Sequence, residues 1–392
     1  MLWRGHDPYR RREGGCGCAG FLLALGLALI GIGYGLVQVR LGNLPQPFTP
    51  NRTSTPRPTP TPTLSVESFV RLAEEAEAKG DFRTAIEYFD RASRRQTNDP
   101  ALHVRAARLM VFINQPQRAE QRARRALEIA PEHLPAKAVL CMALDWQKRV
   151  AEALELCQAV VNADPNYATG HAYLAEALAD AGNFAAARQA AQRALELEPT
   201  NVDALRNMGY VHEVFGRYDT ALYYYQRALE MQPNLPHVLN AMGRLYFVTG
   251  RSRSAVSALR RAIEIDAQNA EAYYRLGVIY QTLGEFGQAR VALDKAIELD
   301  PLQVRALTQR GSLNFQTRNY FGSVEDYTRA ISVSQALGVS LTPVDYINLG
   351  FAYRWIQQCD KAIEAWNTAS AMAPTDETVQ SYVRSGYRQC GR

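Results

Sequence analysis

The sequence predicts an all-α protein, in which one transmembrane helix precedes a solenoid of about nine helical hairpins and a capping helix. Three observations predict this architecture. An uncharged apolar run lies near the N-terminus, and a segment rich in proline and threonine follows it. From residue 66 onward, the same residue types recur every 34 positions, which is typical of a helical repeat array.

The apolar run covers residues 19–39 and contains no charged side chain. At 1.5 Å per residue, a helix of this length reaches roughly 30 Å, the thickness of the hydrocarbon core of a bilayer. A cleaved signal peptide is the alternative, but the run is long and no small-x-small cleavage signal follows it. We therefore expect a retained anchor at the cell membrane.

The orientation of this anchor follows from the charges that flank it. Arginines outnumber acids in the basic segment 1–18, and an excess of positive charge favours a cytoplasmic N-terminus. We therefore expect a single-pass protein whose repeat array is extracytoplasmic. The arginines before the run are Arg4, Arg10, Arg11 and Arg12.

The same run offers a smooth helix face. Gly31 and Gly35 are four residues apart, and small residues at this spacing let transmembrane helices approach closely. Self-association through this face is one interpretation. The other is that glycine and alanine are simply common in such helices.

Residues 40–65 form the predicted linker, in which seven prolines and six threonines lie between residues 42 and 65. Repeated proline removes backbone donors and fixes φ, so neither helix nor sheet can form. An extended spacer of up to about 3 Å per residue is expected, which would hold the array away from the membrane.

The distribution of charge argues against a nucleic-acid partner. The whole chain carries a net charge of +5, and residues 1–65 already account for it with seven arginines against Asp7 and Glu13. The rest of the chain is therefore neutral. Because a nucleic-acid binder needs a basic stripe to neutralise phosphates, this class of partner is not expected.

Three residue types keep the 34-residue step. Prolines mark the end of successive units, alanines the start of the second helix, and glycines the middle of the first. The alanines show the longest series, at Ala85, Ala119, Ala153, Ala187, Ala221, Ala255 and Ala289. The best unit begins at residue 270 and carries Tyr273, Leu276, Gly277, Tyr280, Ala289, Leu293, Ala296 and Pro301.

This pattern resembles the tetratricopeptide repeat family over about 310 residues. The resemblance implies a right-handed α-solenoid over residues 66–376, closed by a capping helix over residues 377–392. Gly338–Thr342 would be an insertion between helices. The units would begin at residues 66, 100, 134, 168, 202, 236, 270, 304 and 343.

The resemblance also implies where a ligand would bind. In this family the first helices line a concave groove, and repeat positions 2, 5, 6, 9 and 12 face the ligand. From the fifth unit on, these positions become polar and basic, which suits an extended or acidic protein segment. An ordinary solvated helix face is the alternative. The groove residues are Arg206, Asn207, Asn240, Arg244, Tyr274, Arg275, Arg305, Gln309, Asn348 and Arg354.

Four cysteines lie in the repeat region. Cys141 and Cys157 occupy positions 8 and 24 of one unit, where small core thiols are expected although the two side chains should face each other. Cys359 and Cys390 would lie at the same height of the last unit and the capping helix. A disulfide is possible there if the array is exported.

The sequence contains no HExxH, Walker or GxSxG motif and no CxxC pair, so neither catalysis, a metal nor a cofactor is expected. The leading interpretation is a membrane-anchored scaffold that binds partner proteins or peptides in its groove. The alternative is an adaptor or sensor subunit of a larger cell-envelope machine, whose enzyme or channel is another chain.

Overall fold

The computed structural model describes residues 64–391. In this range the chain forms nineteen α-helices and no strand, arranged as nine antiparallel hairpins and a final helix. The all-α repeat architecture predicted from the 34-residue period is therefore confirmed. The segments 1–18 and 19–39, and most of the linker, lie outside the described residues, as do Gly31 and Gly35. No helix within residues 64–391 is both long and apolar enough to cross a bilayer.

The first helices of hairpins 1 to 9 are α1 (Val66–Ala78), α3 (Pro100–Phe112), α5 (Leu134–Trp146), α7 (Ala168–Asp180), α9 (Val202–Val214), α11 (Pro236–Val248), α13 (Ala270–Thr282), α15 (Val304–Gln316) and α17 (Pro343–Trp355). The second helices are α2 (Phe82–Arg95), α4 (Pro116–Ile129), α6 (Val150–Ala163), α8 (Phe184–Leu197), α10 (Tyr218–Met231), α12 (Ser252–Ile265), α14 (Phe286–Leu299), α16 (Tyr320–Leu337) and α18 (Cys359–Met372). The last helix, α19 (Glu377–Gln389), packs on hairpin 9.

Small residues at repeat position 8 let the two helices of a hairpin approach. A Cβ atom added at Gly277 would lie 2.5 Å from Leu293, the residue at position 24 of the same hairpin. The tightest case is Gly350, where the added atom would lie 2.2 Å from the fully buried Trp366. Each hairpin is therefore held together by a contact that spans only sixteen residues of sequence.

Helix α16 is four residues longer than the other second helices, at 18 residues against 14. Hairpin 8 has Gln335 at the position where proline ends several of the other units, so nothing stops the helix there. The helix continues to Gly338, which takes a left-handed conformation with φ +66°. The extra length, expected between helices over Gly338–Thr342, is therefore mostly helical.

Both cysteine pairs of the array are joined. A disulfide links Cys359 at the start of α18 to Cys390 after α19, with their Cα atoms 5.8 Å apart. A second disulfide links Cys141 and Cys157, where free core thiols were expected. These two cysteines occupy positions 8 and 24, the closest approach in each hairpin. The Cα atoms are therefore only 5.5 Å apart, within the range that a disulfide requires.

Candidate functional site

The array closes on itself, because hairpin 2 contacts hairpin 5 across the interior. The guanidinium of Arg108 donates to both carboxylate oxygens of Asp203, with N–O distances of 2.9 and 3.0 Å. The hydroxyl of Tyr173 donates to the same carboxylate at 2.9 Å. Asp203 is buried, and the neighbouring Arg108 lowers its pKa in spite of that burial. This bidentate pair joins residues that are 95 positions apart in sequence.

Apolar and backbone contacts extend the closure to hairpin 6. The rings of Phe112 and His237 stack with a centroid distance of 4.1 Å and an interplanar angle of 5°. The side-chain amide of Asn234 donates to the backbone oxygen of Ala78 at 3.0 Å. Burial lowers the pKa of His237 well below its ordinary value, so the imidazole is neutral at physiological pH.

A cavity of about 650 Å³ lies inside this closed part of the array. Every hairpin from the first to the eighth contributes lining residues, which extend from Phe82 on α2 to Arg305 on α15. Its volume falls in the range of ligand-binding clefts, of about 300–1,000 Å³. The cavity is therefore an interior surface to which eight hairpins contribute together.

One wall of the cavity is basic, and we call it the arginine wall: Arg244, Arg275 and Arg305. Arg244 pairs with Glu213, whereas Arg275 and Arg305 share the single carboxylate of Glu271 at 2.5 and 3.0 Å. Three guanidinium groups thus have two carboxylates. Burial, together with the charges of Arg275 and Arg305, lowers the pKa of Arg244 to about 10.

A second wall is acidic, and we call it the carboxylate wall: Asp145 on α5, with Glu176 and Asp180 on α7. Arg206 forms a bidentate ion pair with Glu176, with N–O distances of 3.0 and 2.6 Å. Lys148 pairs with Asp180 at 2.7 Å, and the hydroxyl of Tyr210 donates to that same carboxylate. Asp145 is only 2% exposed. Burial, with the charges of Glu176 and Asp180, raises its pKa to about 8.

The raised pKa of Asp145 predicts a stability that depends on pH. An aspartate in the unfolded chain has a pKa of about 3.9, so the folded protein holds a proton that the unfolded chain releases between about pH 4 and pH 8. The free energy of unfolding should therefore fall as pH rises through this window. Asp145→Asn removes the titrating group and should be more stable than the native protein at pH 8, on the order of a few kcal/mol, and by a smaller margin at pH 5. Urea titrations at both pH values measure the two margins, and equal margins would contradict the assignment.

Five of the ten predicted groove residues line the cavity, namely Arg206, Asn240, Arg244, Arg275 and Arg305. The other five do not line it. Asn207 is fully buried and donates to the backbone oxygen of Ala172 at 2.7 Å, so it faces the neighbouring helix instead. The remaining four make contacts within the array. Gln309 donates a hydrogen bond to Gln281, and Asn348 donates one to Tyr327. The ring of Tyr274 lies against the guanidinium of Arg305, and the guanidinium of Arg354 lies over the ring of Trp355.

Arg206 is the groove residue whose role differs most from the expectation. It is 6% exposed, and its two terminal nitrogens are used by Glu176. Because Arg206 is buried and bonded to Glu176, it positions the carboxylate wall and has no terminal nitrogen left to bind a ligand. The pairing has a signal in the sequence, because side chains 30 residues apart on neighbouring first helices also meet at Tyr173 and Asp203.

Sequence reasoning missed the carboxylate wall. Asp145 and Glu176 occupy positions 12 and 9 of their units, which are ligand-facing positions in the family, but the basic residues of later units drew the prediction there. Among residues 64–391, no group of three or more His, Cys, Asp or Glu side chains is arranged to hold a metal ion.

Four tetratricopeptide repeat models match the sequence. They cover residues 114–178, 174–236, 243–284 and 270–301, and each is described as a tetratricopeptide or TPR repeat. A search of curated proteins finds no match.

Several solved structures share the fold. The APC/C hetero-tetramer Cut9–Hcn1 is similar with a TM-score of 0.64 and 13% identity, over 82% of this chain and 67% of that one. The human IFIT1 dimer with PPP-AAAA is similar with a TM-score of 0.53 and 18% identity, over 78% of this chain and 82% of that one. PilF of Pseudomonas aeruginosa has a TM-score of 0.50 and 18% identity, over 56% and 97%. These likenesses show the fold alone, and it is the four family matches that identify this chain as a tetratricopeptide repeat protein over residues 114–236 and 243–301.

Proposed function

We propose that the array is a membrane-tethered scaffold that holds a segment of a partner protein in its interior cavity, without catalysis of its own. The observation that carries the proposal is the arginine wall. Among the described residues, its three guanidinium groups form ion pairs with only two carboxylates, so one positive charge of this wall has no carboxylate of its own.

Physical chemistry favours an acidic group on the bound segment. A carboxylate accepts two parallel N–H donors from a guanidinium, and such charge-assisted bonds are stronger than neutral ones. Burial is the main cause of the lowered pKa of Arg244, and the charges of Arg275 and Arg305 lower it as well, so this wall disfavours a further cation. An incoming carboxylate would relieve that repulsion.

Charge reversal of the arginine wall tests the proposal. The double variant Arg244→Glu, Arg275→Glu should reduce capture of partners by the full-length chain at least tenfold, because it replaces attraction by repulsion. Arg253→Glu, on the exposed start of α12, is the matched control and should leave capture unchanged. Co-purification from detergent-solubilised membranes measures both. Equal capture by the double variant and the control would remove the arginine wall as the binding surface.

The membrane tether is the second part of the proposal. It is supported by the uncharged run over residues 19–39 and the arginines before it, which favour an extracytoplasmic array. The full-length chain should sediment with membranes, and deletion of residues 1–40 should release a soluble array. Protease added to intact cells should digest the array. Protection from protease would contradict the proposed orientation.

An adaptor subunit of a larger machine is a second candidate, and one feature of the array favours it. Large apolar side chains are exposed beside the turn inside each of several hairpins, with Phe321 at 73% and Trp355 at 51%. Exposed apolar residues that cluster in this way mark interaction surfaces. The other members are Val214, Phe215, Val248, Leu283 and Phe286. A partner that is retained by intact membranes but lost after Phe321→Ser would favour this candidate.

A further inference from the structure

The carboxylate wall contains one acid that the protein itself leaves without a partner. Glu176 accepts hydrogen bonds from the guanidinium of Arg206 and, at 2.9 Å, from the indole N–H of Trp146. Asp180 accepts hydrogen bonds from the ammonium of Lys148 and the hydroxyl of Tyr210. In the part of the chain that the structure describes, Oδ1 of Asp145 is buried and has no hydrogen-bond partner.

An unpartnered buried carboxyl is costly in either protonation state. The ionised form lacks a counter-charge, and the protonated form still leaves an oxygen without a donor. The two nearby cations, Lys148 and Arg206, relieve this cost only in part, because their hydrogen bonds go to Asp180 and Glu176. A donor that enters from the cavity would satisfy Asp145, since this residue lines the cavity.

We infer that the carboxylate wall binds a positively charged group, the guanidinium or ammonium of a basic side chain carried by the partner segment. A guanidinium offers five N–H donors and remains charged at all physiological pH values, so it can supply both the missing charge and the missing hydrogen bond. The ring of Trp146 also lines the cavity and gives such a cation an aromatic neighbour.

This inference rests on the proposed function, because both walls belong to the same cavity. It specifies that the bound segment carries a basic residue for the carboxylate wall and an acidic residue for the arginine wall. A purely acidic segment would leave Asp145 unpartnered, and a purely basic one would be repelled by the arginine wall.

Binding of the cation should depend on pH in a defined direction. The charged groups that act on Asp145 are Glu176 and Asp180 on α7, Lys148 in the turn after α5, and Arg206 on α9. With a pKa of about 8, about one tenth of the Asp145 carboxyls are ionised at pH 7 and about nine tenths at pH 9. Because apparent affinity scales with the competent fraction, it should rise about tenfold between these pH values.

The test uses the full-length chain in detergent and a small probe, N-acetyl-arginine amide, titrated by NMR or calorimetry at pH 7 and pH 9. Its guanidinium stays charged at both values. Native protein should bind it about tenfold more tightly at pH 9. N-acetyl-citrulline amide, which has nearly the same shape and no charge, should bind at least tenfold more weakly. Asp145→Asn keeps the shape of the side chain, and it should lose at least tenfold in affinity for the arginine probe and show no pH dependence.

Three results would overturn the inference. The first is equal binding of the arginine probe to native protein and Asp145→Asn, and the second is equal binding of the arginine and citrulline probes. The third is tighter binding of spermidine than of the arginine probe, which would assign the site to a free polyamine. Loss of cation binding at the carboxylate wall can be told apart from loss of partner capture at the arginine wall. The arginine probe should bind the Arg244→Glu, Arg275→Glu variant at least as tightly as native protein, whereas partner capture should be lost.

Discussion

Replacing Asp203 by alanine is expected to lower the free energy of unfolding by about 3 kcal/mol, because Arg108 keeps Glu77 but loses its bidentate partner, and the buried hydroxyl of Tyr173 loses its acceptor. Arg108 meets both oxygens of this carboxylate, and Tyr173 donates to it as well. Since this contact joins hairpin 2 to hairpin 5, its loss should also loosen the closure of the array. Urea titration measures the stability, and small-angle scattering measures the expected increase in radius of gyration.

The matched control is an ion pair that has no such role. Arg125 and Glu128 form an i,i+3 pair on α4 with both side chains more than half exposed. Arg125→Ala should therefore change stability by less than about 0.5 kcal/mol and leave the radius unchanged. If Asp203→Ala were as mild as this control, the closure would not stabilise the array.

The second large effect is expected at Gly350, where adding one methyl group should lower the free energy of unfolding by about 3 kcal/mol. The new Cβ atom would lie 2.2 Å from the indole of Trp366, and Gly386 packs against the same indole from another helix. Trp366 is fully buried, so it cannot rotate away. Gly350→Ala should also disturb the packing of α19, which near-ultraviolet circular dichroism of this tryptophan would report.

Gly287 offers the opposite case in an equally regular helix. A Cβ atom added there meets nothing within 4 Å. Because alanine has the higher helix propensity, Gly287→Ala should raise the free energy of unfolding by up to about 1 kcal/mol. The two identical substitutions are thus expected to have opposite signs. A shared sign would mean that close packing at repeat position 8 does not hold the hairpins together.

The stacked hairpins could be predicted because each one is built from contacts that are local in sequence. Gly277 and Leu293 lie sixteen residues apart, and the same pair of positions recurs every 34 residues, so a periodic pattern contains the packing rule. The same positions explain the bond between Cys141 and Cys157. That disulfide was missed because the sequence shows that the residues face each other but not whether they are oxidised.

The closure of the array could not be predicted in this way. It depends on small rotations between neighbouring hairpins that accumulate over several repeats, and no residue of the repeat pattern encodes their sum. Arg108 and Asp203 therefore look like ordinary polar helix residues in the sequence. The cavity could not be predicted for the same reason, because its lining comes from eight hairpins whose relative positions depend on these rotations.

The candidate site was predicted only in part. The arginine wall was found because Arg244, Arg275 and Arg305 fall at ligand-facing repeat positions. Arg206 falls at such a position too, but Glu176 on the preceding hairpin uses it. Glu176 and Arg206 are 30 residues apart, so a search for opposite charges at this separation would have distinguished Arg206 from the arginine wall.

The most direct test of the account asks from which side of the array the partner can be reached. A photo-crosslinking amino acid is placed either at position 240, where Asn240 lines the cavity, or at position 223, where Tyr223 is exposed on the second helix of hairpin 5. After irradiation of intact membranes, we expect a crosslinked partner segment with basic and acidic residues from position 240 and none from position 223. Crosslinks from position 223 alone would show that partners bind outside the cavity and would contradict the account.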